Sequence, residues 1–348
     1  MPFENFLCLD TTERREIIEA GASTSSWSAD VLEKDVWVVW CLDALFRQPS
    51  APDYAFKGGT SLSKVYAAID RFSEDVDITV STKHPSILGN EDPLAEAITG
   101  THRKRLNERA ATNFAAYLRE HLAPYLEHAA ATLPEGSRPT IIPDGEAVHV
   151  AYPSVLPDGT EAAYLRRQVL LEFGTRGTTE PREEQSVATY LEGAVETTGE
   201  LAFPNARVMA MSAERTFWEK ATLVHAEITR DTLKIRERYA RHWYDLYRLS
   251  HHETIGAASL AADAIFVQVI GIKAKQFRGG GIRYEDCGRG RLRLVPDGAL
   301  LTHLKDDYRQ MRESGMFLTD PPAFAEILEH LADLEQRVNS ARTAQPIV

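Results

Sequence analysis

Cysteine is scarce in this 348-residue chain: there are three, Cys8, Cys41 and Cys287. Their number is odd, their spacing is wide, and neither a disulfide framework nor a zinc site follows from them. Cys41 lies in an apolar helical run and reads as core. No apolar run approaches the roughly 18 residues that span a bilayer. The start, "MPFENFLCLDTTERRE", lacks a basic segment followed by an apolar one, so no signal peptide is expected. No membrane partner is expected, and the expected location is a reducing cytoplasm. Repeats and low-complexity tracts are absent too. Excess positive charge is also lacking: the formal net charge is −12, which argues against a protein that coats nucleic acid nonspecifically.

What is present is an ordinary globular composition, 43% hydrophobic and 26% charged, on a chain long enough for one elaborate domain or two. The charge is unevenly spread. Residues 271–294, "GIKAKQFRGGGIRYEDCGRGRLRL", carry seven Lys or Arg against two acids. A solvated loop is the default reading of such a run.

Residues 28–46, "SADVLEKDVWVVWCLDALF", have the broad apolar face of a buried helix capped by Ser28. A short strand at 54–56 ends at Gly58 and Gly59, a helix is expected over 60–69, and a strand over 76–80. Residues 85–93 read as loop. Residues 101–133 form a long helical stretch with a break expected at Pro124. Strands are expected at "TIIP" from Thr140, at "AVHVAYP" from Ala147 and at "RRQVLLEFGTRG" from Arg166, with "ARVMAMS" as one more. In the third of these, Val169, Leu171 and Phe173 share a side opposite Leu170 and Glu172. From Ser212 onward the pattern is helical: 212–228, 239–250, 260–276, 298–312 and 322–341. An α+β part, 1–211, is thus followed by a mainly helical part, 212–348.

The stretch "FKGGTSLSKVYAAIDRFSEDVDITV" carries the chemistry. Residues two apart on a strand share a face, so Asp75 and Asp77 point one way while Val76 and Ile78 enter the core. Two such carboxylates repel each other unless a cation sits with them, and Mg²⁺ is the usual hard cation for oxygen ligands. Gly58 and Gly59 let backbone approach a phosphate closely, the following helix start offers free N–H groups, and Thr60 and Ser61 add hydroxyls. Glu172, on a strand rich in Leu and Phe, is the candidate third metal ligand, with an edge-strand surface position as the alternative. The parts suit a nucleoside triphosphate whose phosphates meet amides and metal-bound carboxylates.

At this point the chain resembles the nucleotidyltransferase superfamily, and more narrowly the AbiEii toxin family with its MenT-like members. "FKGGTSLSKVY" and "RFSEDVDI" carry the likeness, together with "SAERTFWEKATLVHAE" at 212–227 and "RYARHWYDLYRL" at 238–249. "LEKDVWVVWCLDALF", "KAKQFR" and "LKDDYRQM" support it. The resemblance implies a nucleotidyltransferase-like mixed β-sheet core flanked by helices, with the helical C-terminal part completing the active site. It implies Asp75 and Asp77 as metal ligands for Mg²⁺, with Mn²⁺ as the alternative ion and NTP as substrate. It also implies catalytic roles for Ser73, Lys220 and Asp245, and an AbiEi-type antitoxin in a type IV toxin–antitoxin system. The expected activity moves NMP from NTP to the 3′ end of tRNA, blocking translation. The alternatives are nucleotidylation or phosphorylation of a protein, antitoxin or self, and a catalytically idle NTP-binding module.

The residues themselves fit that implication. A buried Lys220 ammonium would be stabilised by phosphates and would counter charge on a pyrophosphate leaving group. Asp245, among Trp243, Tyr244, Leu246 and Tyr247, would hold Lys220, bind metal, or pair with a structural arginine such as Arg241. Given a nucleotide site, Lys273, Lys275 and Arg278 become a basic helix end for triphosphate or acceptor backbone. Phe277 reads as core, and Tyr284 as a surface for a base to stack on.

Overall fold

The computed structural model describes residues 4–157, 166–195, 201–234, 236–277 and 281–341. Arg278 lies outside them. The chain divides into two compact units, one of residues 1–65 with 72–211, the other of residues 66–71 with 212–348.

In the first unit, α1 (Thr11–Thr24) opens on a capping box in which Asp10 accepts from the Thr12 and Glu13 amides and Glu13 reaches back. Next comes α2 (Ala29–Phe46), whose cap Ser28 accepts from the Val31 amide. Then follow β2 (Tyr54–Lys57), α3 (Gly58–Lys64), β3 (Asp75–Val80), α4 (Gly100–Tyr117) and α5 (Ala123–Ala130). Strands β4 (Thr140–Asp144), β5 (Ala147–Ala151), β6 (Gln168–Gly174) and β7 (Arg182–Ala188) lead to α6 (Tyr190–Ala194) and β9 (Asn205–Met211). Two short strands, β1 (Glu4–Asn5) and β8 (Leu201–Ala202), pair in parallel apart from the main sheet.

The main sheet has seven strands in the order β4-β5-β6-β3-β2-β9-β7. It is mixed: β3 runs parallel to β6 and β2 to β9, while the other neighbours are antiparallel. The expected mixed sheet flanked by helices is therefore present. One core joins α2 to it through Val36, Trp37, Leu42, Val76, Ile78, Val169 and Leu171. Cys41 is buried there, as read from the sequence.

Several local expectations are revised. The helix after the glycines begins at Gly58 and stops at Lys64. Residues 66–71, the first four of which the periodicity assigned to that helix, belong to the second unit. Ahead of Pro124 the helix widens into a π-turn, Leu118–Leu122, because proline cannot donate the next helical bond. Strand β7 carried no sequence signal: "REEQSVA" is polar, and its pairing to β9 makes it a strand.

The second unit contains α7 (Ala213–Ile228), α8 (Arg241–His251), α9 (Ile255–Ala261), α10 (Asp263–Gln276), α11 (Gly298–Glu313) and α12 (Phe324–Ser340). The helix expected over 260–276 is α10, which starts at Asp263, and a further short helix, α9, precedes it at an angle of 73°. Trp218 stacks on Phe266 between α7 and α10, and its indole N–H donates to the Ser259 carbonyl of α9. Among the described residues no single helix is long and apolar enough to cross a membrane; only the bent α9–α10 pair passes that test jointly.

Candidate active site

The acidic strand of the first unit runs along the middle of the sheet, with β6 on one side and β2 on the other. Asp77 is registered with Glu172 on β6 and with Lys57 on β2. Registered partners project from the same face, so Lys57, Asp77 and Glu172 form one row across three strands, and Asp75 shares their face. Val76 and Ile78, fully buried, occupy the other. Glu172 is exposed, yet it stands on an interior strand and not on a sheet edge.

Gly58 shows why its residue type is needed. Its φ is +78°, a region that side chains disfavour, and a Cβ there would lie 1.9 Å from Asp77 Oδ2. The Asp77 carboxylate thus occupies the room that glycine leaves open, at the first residue of α3. The Thr60 hydroxyl donates to the carbonyls of Asp75 at 2.5 Å and Ser73 at 3.2 Å. This departs from expectation. Thr60 and Ser61 are each 1% exposed, and Thr60 spends its proton on the backbone that carries the two aspartates. Ser61 Oγ is buried with no hydrogen-bond partner among the described residues. Ser73 is half-buried, immediately before the acids.

Among the described residues, no three His, Cys, Asp or Glu side chains stand close enough to hold a metal ion between them. A hard divalent cation still fits this donor set, since Mg²⁺ is ordinarily held by one or two carboxylates, with water and substrate phosphates completing its shell. Asp75 and Asp77 on one face, half-buried and all-oxygen, are such a pair.

A charged triplet within α2, unmarked by the apolar periodicity of that helix, is a further feature of the first unit. Glu33, Lys34 and Asp35 are all buried. Glu33 accepts from Ser154 Oγ at 2.6 Å and the Val155 amide at 2.7 Å; burial pushes its carboxyl up from the usual value, against those two bonds. Asp35 accepts from Lys64 Nζ at 2.5 Å and the Tyr190 amide at 2.6 Å, while Lys64 lies 3.5 Å over the Tyr190 ring. Lys34 donates to Glu74 Oε2 at 2.5 Å and to the Arg166 carbonyl at 3.1 Å. Three consecutive charges inside an apolar helix were the available signal, because one face cannot carry all three to solvent.

In the second unit, α7 and α8 bring Lys220 and Asp245 together at 2.7 Å. Their third member is Arg71, whose Nε and terminal nitrogen each donate to Asp245 at 2.7 Å in a bidentate fork. Of the three roles left open for Asp245, the structure shows two: it holds Lys220, and it pairs with an arginine. That arginine is Arg71 and not Arg241. With both carboxylate oxygens engaged by cations, Asp245 is not placed as a metal ligand. Burial alone would raise its pKa, but Arg71 and Lys220 outweigh burial and hold the carboxyl well below the usual range. Burial draws the Lys220 ammonium down against the pull of Asp245, and Arg71 adds to that depression. The three-residue cluster carries one net positive charge. His242 is likewise pushed well below its ordinary value, by burial first and then by Lys220 and Arg241.

Lys273 donates to the Glu219 carbonyl at 2.7 Å, so it ties α10 to α7 one residue before Lys220. Its ammonium stands 5.6 Å from the Tyr284 ring centroid. Lys275 is half-buried at the end of α10. Phe277, expected in the core, is 42% exposed.

The family model described as nucleotidyl transferase AbiEii toxin, type IV TA system, matches residues 40–330. No curated protein matches the chain. Among solved structures it is similar to MenT4, a nucleotidyltransferase toxin from Mycobacterium tuberculosis H37Rv, at 16% identity and a TM-score of 0.42, covering 95% of this chain and 98% of that one. The family match takes in the glycine turn, the acidic strand and both helices of the Lys220–Asp245 pair, and the chain belongs to the AbiEii nucleotidyltransferase toxin family of type IV toxin–antitoxin systems.

Proposed function

We propose that this nucleotidyltransferase uses Mg²⁺ and an NTP to transfer NMP to the 3′-terminal hydroxyl of tRNA, and that the modified tRNA no longer supports translation. The observation that carries the proposal is the seating of Asp77 against Gly58, with Asp75 on the same sheet face. A carboxylate seated against a glycine turn would bring the metal it holds up to backbone that carries no side chain of its own.

Asp75 and Asp77 would hold the metal, and Glu172, in register with Asp77 on the neighbouring strand, would have to move closer to become a third ligand. Gly58 and Gly59 admit the phosphates to the backbone, and Thr60 holds the aspartate-bearing segment. The metal, when bound, polarises the α-phosphate and lowers the pKa of the attacking hydroxyl. The hydroxyl oxygen bonds to the α-phosphorus and loses its proton, the bond from that phosphorus to the bridging oxygen breaks, and pyrophosphate leaves. Lys220, oriented by Asp245, counters the charge on the triphosphate, and Lys273 and Lys275 add positive charge for triphosphate or acceptor backbone. An AbiEi-type antitoxin is the partner that family membership implies.

The test is incubation of the purified protein with total tRNA, Mg²⁺ and each α-labelled NTP in turn. Label is expected on tRNA from at least one NTP, and the γ-labelled form of the same NTP is expected to transfer none. Asp77→Ala should reduce transfer on the order of 10²–10³-fold, as loss of several kcal/mol of metal-borne stabilisation requires. Label on protein alone would replace tRNA by a protein acceptor, and transfer from γ-labelled NTP would replace nucleotidyl by phosphoryl transfer.

A further inference from the structure

We propose that Lys34 is a positioning residue for the acidic strand: a single buried ammonium on α2 ties together the entrances of β3 and β6 and turns Glu74 away from the face that Asp75 and Asp77 share. The proposal rests on the metal-dependent reading above and concerns what keeps its carboxylates in place.

Lys34 is 2% exposed, and an ammonium so buried requires close partners. It has two in this unit. Glu74 is the residue immediately before β3, and Arg166 lies two residues before β6. These strands are parallel neighbours, so their entrances lie at the same end of the sheet, and their register sets Asp77 beside Glu172. One cation therefore fastens the start of both strands that carry the carboxylates.

The sequence makes such a fastening necessary. "SEDVD" has acids at 74, 75 and 77, so either face of the strand would receive negative charge. Strand alternation means that a slip of one residue exchanges the two faces. The Lys34–Glu74 pair draws Glu74 toward α2, on the side of Val76 and Ile78, and this leaves Asp75 and Asp77 on the opposite side. Thr60 holds the same segment from α3, through the carbonyls of Ser73 and Asp75. The segment 73–75 is thus held by its backbone from one helix and by its side chain from another. Without the ammonium, the starts of β3 and β6 lose the bond they share, and the carboxylates that follow them are held less closely in place.

Mn²⁺ is the probe, and its binding to the full chain with a non-reacting NTP analogue is read by electron paramagnetic resonance. Wild type, Asp77→Ala, Lys34→Met and Lys34→Met/Glu74→Gln are compared, with circular dichroism and thermal midpoint on each. Lys34→Met is expected to stay folded and to weaken Mn²⁺ binding roughly 10–100-fold, the usual cost of losing a residue that orients a metal ligand. In the double variant the charges of Lys34 and Glu74 are removed together, so the thermal midpoint should recover, while Mn²⁺ binding stays weak because the bond between the starts of β3 and β6 is still missing. A purely structural lysine would behave differently, with Mn²⁺ affinity of the folded protein at the wild-type value in either variant, and that result overturns the proposal. Should Lys34→Met fail to fold, the double variant decides by the same criterion. Wild type that binds no Mn²⁺, or Asp77→Ala that binds it like wild type, overturns the metal reading and this proposal with it.

Discussion

At the scale of single residues, Gly58 and Asp77 depend on one another across a space too small for a methyl group. Gly58→Ala places a Cβ 1.9 Å from Asp77 Oδ2 and forces alanine to φ +78°. The backbone strain alone costs about 1–3 kcal/mol, and the carboxylate must leave its seat. The expected outcome is a lowered thermal midpoint together with loss of nucleotidyl transfer, checked by melting curves and the α-label assay. The spacing from glycine turn to D-x-D was legible in the sequence, and so was the shared face of Asp75 and Asp77. That Asp77 needs glycine opposite it was not, because a contact between residues nineteen apart has no local pattern.

At the scale of elements, α7 and α8 deliver Lys220 and Asp245, and the short segment 66–71 delivers Arg71. Both helices were readable from their apolar periodicity, but the arginine was not, since it sits outside any periodic element. Asp245→Ala leaves Arg71 and Lys220 buried without their common anion. A destabilisation of about 3–5 kcal/mol is expected by denaturant titration, the cost of breaking one side of a buried ion pair. The wild-type pair also sets an acid limit. The Asp245 carboxyl is depressed in the folded state, so its stabilisation is complete above the unfolded carboxylate value near ~4 and is lost as pH falls below it.

His225 of α7 gives a second, higher window. Its Nδ1 accepts from the Arg293 amide at 2.9 Å, and burial pushes its pKa down to about 4. A histidine depressed on folding destabilises as pH falls from the unfolded value of ~6.5 toward that folded value, because the unfolded chain takes the proton first. Thermal midpoints between pH 7 and pH 4 should decline, and His225→Asn should flatten the decline. A decline of equal slope in the variant would assign it to other groups.

At the scale of the whole molecule, two features frame the chemistry: a division into two compact units and a net charge of −12. An acidic protein and the proposed polyanionic tRNA acceptor would repel each other, so productive contact would have to be confined to few phosphates. The slope of log affinity against log salt is expected to be shallow, about −3 or less in magnitude, given roughly 0.7–0.9 per phosphate contact. Filter binding of tRNA across a salt series checks this, and a steep slope would instead indicate a broad basic surface. The edge strand β7 belongs to this scale as well. Its polar sequence pairs only because β9 lies alongside, and edge strands are commonly kept charged to discourage pairing with other chains.

The sequence by itself determined most of the helices and strands, the mixed α+β character, the carboxylate pair and its glycine turn. All of these depend on residues close along the chain, where periodicity and spacing act directly. Tertiary structure alone decided which cation meets which acid: Arg71 and Lys220 on Asp245, Lys34 on Glu74, Lys64 on Asp35. Charge pairs between distant residues follow from how elements pack, and burial then makes the pairing obligatory, since a lone charge in the interior is too costly to keep.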